Sequence, residues 1–176
     1  ELGSPWPDVG DETLLLDMSW LIPYLTNKTK IEQVAGLDIH SILLNSLPWK
    51  QQQELDRLAP THIQVPSGSK IRLLYESDGS VILPVRLQEM FGQQETPNLC
   101  HGKVVITVHL LSPARRPLQV TKDLVSFWKN GYPLVKKEMA GRYPKHYWPD
   151  DPIKATATSG TKKSMLLKKS DARRKK

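Results

Sequence analysis

Cysteine is almost missing from this sequence: Cys100 is the single one in 176 residues. A lone thiol closes no disulfide within the chain, and so sparing a use of the residue fits a reducing compartment, with the cytoplasm as the default. Metal-ligand spacing is missing too. His40, His62, His101, His109 and His146 are scattered, and Cys100-His101 is the only adjacent pair of soft ligands, so no metal site is expected. No apolar run approaches the roughly 20 residues that a membrane span needs, and the first residues lack the basic start of a secretory signal. The expectation is a soluble chain with no membrane partner.

Charge is present but unevenly distributed. The formal net charge is +7, yet residues 151–176 hold nine Lys or Arg against two Asp, which accounts for all of it. Residues 1–60 carry four bases and nine acids, and residues 61–150 carry twelve bases and seven acids. The body is therefore polarised, acidic at its start and basic towards its end.

The hydrophobic period divides the chain in the same place. After an irregular lead-in over residues 1–10, Asp11-Glu12 followed by Leu14, Leu15, Leu16 and Met18 predicts a helix running towards Pro23. Asp38 is placed to cap a second, whose Ile39, Ile42, Leu43 and Leu47 share one stripe and should be core. Pro48 opens another, Trp49 to Leu58, which Ala59-Pro60 ends. Residues 11–60 thus read as a helical segment.

From Thr61 the period is two. Thr61, Ile63 and Val65 alternate with His62 and Gln64, Ile71, Leu73 and Tyr75 with Arg72 and Glu76, and Ser77-Asp78-Gly79-Ser80 predicts a hairpin into Val81–Val85. An antiparallel meander is the economical topology. Arg86 to Phe91 is expected to make a helical turn or two closed by Gly92, Lys103 to Leu111 a strand, and Leu118 to Val120 a short edge strand. Thr121 and Asp123 can cap a helix over Leu124 to Met139, broken or kinked at Gly131 and Pro133. The proline-flanked segment 142–149 should lie extended over the body, and residues 153–176 are expected to be disordered. The fold class is α+β: N-terminal helices, then a small antiparallel mixed β unit (residues 61–152) with a covering C-terminal helix and a disordered basic tail.

Several segments resemble, in order, the C-terminal region of the bacterial ATP-dependent RNA helicases of the HrpB family. They are Leu47-Pro48-Trp49, Leu58-Ala59-Pro60-Thr61-His62, Val65-Pro66-Ser67-Gly68-Ser69, Val85-Arg86-Leu87-Gln88-Glu89-Met90-Phe91-Gly92 and Leu110-Leu111-Ser112-Pro113. The longest match runs from Arg116 to Leu124, through Phe127-Trp128, to Gly141–His146 and Trp148-Pro149-Asp150-Asp151-Pro152. The resemblance implies a parent of the DEAH-box class of superfamily 2, in which two motor domains use ATP and magnesium to move along or unwind RNA. A Gly-x-x-x-x-Gly-Lys-Ser/Thr loop and an Asp-Glu-x-His run are both absent from this sequence, so no catalytic or cofactor-binding residue is carried over. The chain would be an accessory region, with the motor domains as partners in cis and ATP and magnesium engaged only by the parent helicase.

Basic and aromatic residues intermingle late in the chain. Arg115, Arg116, Lys122, Lys129, Arg142, Tyr143, Lys145, His146, Tyr147 and Trp148 are candidates to bind single-stranded RNA, rings stacking on bases and cations neutralising phosphates. Packing is the simpler role for the rings at 143–148, since proline-flanked aromatics commonly clamp a segment onto a fold; both roles stay open. In the tail, Lys162, Lys163, Lys168, Lys169, Arg173 and Arg174 suit loose contact with a polyanion. Ser67-Gly68-Ser69 is expected to be a strand connection, and Arg86 and Glu89 to pair across a helical turn. The function expected is that of a helicase accessory region contacting the motor and RNA, acting as a monomer; the alternative is a protein–protein interaction module that never touches nucleic acid.

Overall fold

The structure, a computed structural model, describes residues 6–167. The chain divides between Arg57 and Leu58 into two compact units.

The first unit is helical: α1 (Asp11–Leu16), α2 (Ile31–Ala35), α3 (Ile39–Asn45) and α4 (Trp49–Leu58), with 3₁₀ turns at Met18–Trp20 and Ile22–Tyr24. α1 is shorter than its apolar pattern predicts. Asp17 leaves the helical region (φ −127°) and its carboxylate accepts from Ser19 N at 2.9 Å, so a side chain that competes for backbone donors ends the helix. Asp38 caps α3 as expected, accepting from Ser41 N at 3.1 Å and Ser41 Oγ at 2.6 Å. The α3 stripe is less buried than expected. Ile42 is enclosed, but Ile39 is exposed, and Leu43 and Leu47 line an open apolar trough of about 710 Å³ with Trp6, Val9 and Leu55. Large apolar side chains are also uncovered elsewhere in this unit, with Leu16 at 88%, Ile31 at 75% and Trp49 at 69% exposure.

The second unit holds the main core. β1 (His62–Gln64) and β2 (Lys70–Arg72) form an antiparallel ribbon with His62 opposite Arg72. Four further strands, β3 (Leu74–Tyr75), β4 (Val81–Arg86), β7 (Thr107–Leu111) and β8 (Pro117–Thr121), make a sheet in the order β3-β4-β7-β8. Between β4 and β7 the chain forms a 3₁₀ turn at Leu87–Glu89 and a small ribbon, β5 (Asn98–Leu99) with β6 (Val104–Val105). The sheet is not a simple meander. β4 and β7 pair in parallel, Ile82 against Thr107 through Arg86 against Leu111, because the crossover between them is long enough to return the chain in the same direction. On its way the crossover buries Leu87, Met90 and Phe91 completely. The long strand expected at 103–111 is split at Ile106, which is also fully buried.

Strand alternation sets the core face: Val81, Leu83 and Val85 of β4 and Val108 and Leu110 of β7 point inward. A helical segment packs against them. Asp123 accepts from Ser126 N at 2.9 Å to start α5 (Leu124–Ser126), which passes through a π-helical turn at Phe127–Gly131 into α6 (Tyr132–Arg142). The expected break at Gly131-Pro133 is absorbed by that turn. Tyr132 N donates to Phe127 O, five residues back, and the widened turn lets the chain continue past Pro133, which has no N–H to donate. The helix runs past the expected end at Met139 and closes at Arg142.

Past α6 the chain lies on the body. The Tyr132 hydroxyl donates to Pro149 O at 2.8 Å, and Trp148 is buried. Disorder was the expectation from residue 153 onward, yet the segment continues in order: Gly92 N donates to Pro152 O (2.9 Å), Thr158 N to Gln88 O (2.9 Å) and Lys162 N to Lys145 O (3.0 Å). Ile153, Ala155 and Ala157 pack on the core while Lys154 and Thr156 face outward, a period-two pattern that explains the order. Residues 162–167 are helical.

Candidate nucleic-acid interface

The antiparallel register of β1 and β2 puts the polar residues of both strands on one face, away from Ile63 and Ile71. A groove of about 380 Å³ in the second unit is lined by His62, Lys70 and Arg72 of this ribbon together with Arg86 and Arg115. Ile71, Leu74, Pro84 and Leu111 supply apolar surface within it. Glu89 is its one carboxylate.

Glu89 is nearly sealed from solvent, at 3% exposure, and its partners come from two separate motifs. Oε1 accepts from Ser69 Oγ at 2.7 Å and from Ser67 Oγ at 3.3 Å; Oε2 accepts from Arg86 Nε at 3.0 Å. Ser67 N also donates to Glu89 O at 3.2 Å. The Ser67-Gly68-Ser69 connection is therefore tied to the end of β4, with Gly68 supplying the positive φ of +85° that the turn requires. A carboxylate this buried needs full pairing, and here it has it. Arg86 remains partly exposed at its side chain (28%), with Nη1 and Nη2 having no partner among the described residues. The Arg115 backbone is fixed by its turn: Ser112 N donates to Arg116 O and Arg115 N to Ser112 O, both at 2.8 Å, and Arg115 sits at φ +61°.

The residues singled out from the sequence are dispersed. Arg115 enters the groove, and Arg116 is exposed beside it in the same turn. Lys122 is exposed at the end of β8 and Lys129 on the π-helical turn. Arg142 pairs with Glu138 at 3.6 Å. Lys145 is exposed, and Lys162 and Lys163 are exposed in the helical stretch that follows the strap. Lys168, Lys169, Arg173 and Arg174 lie outside the described residues.

The rings at 143–148 are packing elements in this structure. Trp148 donates from Nε1 to Tyr143 O at 3.1 Å, and Tyr147 stands edge-on to Phe91 at 6.1 Å and 88°. Phe91 also meets Trp128 and Tyr132, so the segment closes an aromatic cluster. Burial pushes the Tyr132 phenol well above its ordinary range. His146 is half-buried against Tyr143; burial, and then the nearby Arg86 charge, hold its pKa below 6.5, while a backbone hydrogen bond with Gly160 pulls the other way.

His62, Lys70, Arg72 and Arg86 escaped the sequence-based selection. A signal existed, since His62 and Arg72 are the polar positions of alternating strands, but their convergence depends on the β1–β2 register and on the β7–β8 turn that brings Arg115 to the same groove.

These features define a small α+β region with a basic groove, and comparison with known proteins says to which family it belongs. A family model described as "ATP-dependent helicase C-terminal" matches residues 20–152, and the chain belongs to that HrpB C-terminal family. It is 48% identical over 159 residues to the ATP-dependent RNA helicase HrpB of Escherichia coli K12, covering 90% of this chain and 20% of that protein. A crystal structure of the E. coli DExH-box NTPase HrpB superposes with a TM-score of 0.83 at 47% identity, over 89% of this chain and 19% of the other. A second, of the E. coli DEAH/RHA helicase HrpB, gives 0.66 at 45%, over 81% and 18%. The chain thus spans about a fifth of the length of these relatives. Among the described residues no helix is long and apolar enough to cross a membrane.

Proposed function

We propose that this region guides single-stranded RNA in an ATP-dependent helicase, through the basic groove of its second unit, while its first unit holds it to the motor domains. The groove carries the RNA part: five cationic or imidazole side chains around an apolar floor, with the one carboxylate already neutralised by Arg86. Phosphates supply most of the affinity of proteins for RNA, and sugars and bases find the apolar surface. Lys162, Lys163 and the further basic residues to 176 add unspecific attraction. The exposed Leu16, Ile31 and Trp49, on a unit with a net charge of −5, support docking against a partly basic motor surface. ATP and magnesium would be engaged by the motor, outside this chain.

Titration of the chain with oligouridylate at several salt concentrations tests the proposal. Affinity should fall steeply with salt; Lys70→Glu with Arg72→Glu should lower it by roughly tenfold or more, and removal of residues 162–176 should flatten the slope. An unchanged affinity in the groove double variant, with unfolding temperature preserved, would leave the protein–protein alternative standing.

A further inference from the structure

Within that groove, we infer that Arg86 is a phosphodiester seat whose guanidinium is aimed by Glu89, making the Ser67-Ser69-Glu89 network a positioning device for RNA backbone recognition. The inference rests on the RNA reading above and adds the atoms that would take the phosphate.

A guanidinium has three donor-bearing nitrogens in a rigid plane, and the pairing here uses one of them. Glu89 Oε2 engages Nε at 3.0 Å, while Nη1 and Nη2 have no partner among the described residues. A purely structural ion pair gains most by the fork-to-fork arrangement, in which both carboxylate oxygens face the guanidinium. Glu89 instead gives its other oxygen to Ser67 and Ser69. Its plane is thereby locked by groups that do not belong to the ligand, and Arg86 is left with donors of the geometry that binds two oxygens of a phosphate. The supporting shell is well tied: Glu89 is buried, Arg86 ends a strand paired with β7 from Ile82 to Arg86, and the serines belong to a turn hydrogen-bonded back to Glu89 O.

The other cations decide the ligand class. Lys70, Arg72 and Arg115 line the same groove, and His62 with them, so it presents a row of positive groups rather than one. A single carboxylate would leave most of them unused. A repeating polyanion with one charge per residue and an apolar portion between charges meets both the row and the Ile71, Leu74, Pro84 and Leu111 surface, which identifies a nucleic-acid strand.

Charge counting and positioning give opposite signs for one variant. Glu89→Gln raises the net charge of the groove by one, so simple attraction predicts tighter RNA binding. If Glu89 aims Arg86, affinity should instead fall by roughly fivefold, because the neutral amide holds the guanidinium less firmly. Arg86→Lys, which keeps the charge and loses the planar fork, should weaken binding by a similar factor with an unchanged salt slope.

The test follows the Arg86 Nε–Hε resonance in the ¹⁵N-labelled full chain, assigned by its loss in Arg86→Lys, during titration with oligouridylate and separately with inorganic phosphate. A shift with oligouridylate, together with weaker binding by Arg86→Lys, supports the seat. RNA binding without movement of that resonance, or tighter binding by folded Glu89→Gln, overturns the seat and leaves the RNA function intact. A shift with phosphate in a chain that binds no RNA keeps the seat and removes the RNA function; no shift with either removes both. Should Glu89→Gln fail to fold, the resonance and Arg86→Lys decide alone.

Discussion

Single side chains do two kinds of work in the second unit, and His146 separates them. It lies close to Arg86 and packs against Tyr143, so protonation would place a second cation beside a guanidinium in a half-buried setting. Its pKa is lowered by burial first and by Arg86 second, which means the unfolded chain takes up a proton at higher pH than the folded one. Folding stability from this group is therefore fully present above about 6.5 and is lost as pH falls from there through the lowered folded value. Thermal unfolding followed from pH 7.5 to 5.5 should show a fall in unfolding temperature that is smaller in His146→Gln. An identical fall in both proteins would contradict the assignment. Residues of this kind were only half legible in the sequence. Arg86 and Glu89 are three apart in a run that invited an ion pair, and they form one. The serines that complete the network, some twenty residues earlier, read only as a turn, because a local pattern cannot show which distant carboxylate a turn hydroxyl will meet.

Among the elements, those fixed by local chemistry match their sequence signals. The Asp38 cap and the Asp-Gly hairpin between β3 and β4 each follow from residues within one or two turns of chain. The parallel pairing of β4 with β7 does not, because it depends on the crossover burying Leu87, Met90 and Phe91. The strand expected over Ile71, Leu73 and Tyr75 is split at Leu73 into β2 and β3 of separate sheets, with Tyr75 exposed. Residues 153–161 show the reverse case. Their Ile-Lys-Ala-Thr-Ala-Thr alternation is a legible signal, but the surrounding Lys, Ser and Gly outweighed it. The π-helical turn offers a direct test at this scale. A Cβ on Gly131 would come to 2.8 Å from Cδ2 of Phe127, a ring held beside Trp128 at a centroid distance of 5.1 Å. Gly131→Ala should therefore cost about 1–3 kcal/mol by overpacking, although alanine is the better helix former. Equilibrium denaturation measures it, and a stabilised variant would show that the turn relaxes without cost.

For the molecule as a whole, the proposed division of labour follows the division of charge and burial. The second unit encloses a continuous apolar core and displays cations, although Leu134 and Leu166 stay exposed; the first encloses little beyond Leu21 and Ile42 and leaves large apolar side chains open. A helicase region that holds RNA with one unit and the motor with the other accounts for both surfaces, in a chain about a fifth as long as its relatives. The charge asymmetry was legible from the sequence, but its focus was not. The basic residues that converge are His62, Lys70, Arg72, Arg86 and Arg115, whereas the aromatic run that looked most suited to bases is largely committed to packing. Photo-cross-linking of the full chain to single-stranded RNA carrying 4-thiouridine, with the attached peptides mapped by mass spectrometry, tests this most directly. The account predicts cross-links within residues 62–74 and 111–116, competed by unlabelled RNA and lost at high salt. Cross-links confined to residues outside the groove, or none at low salt, would contradict it.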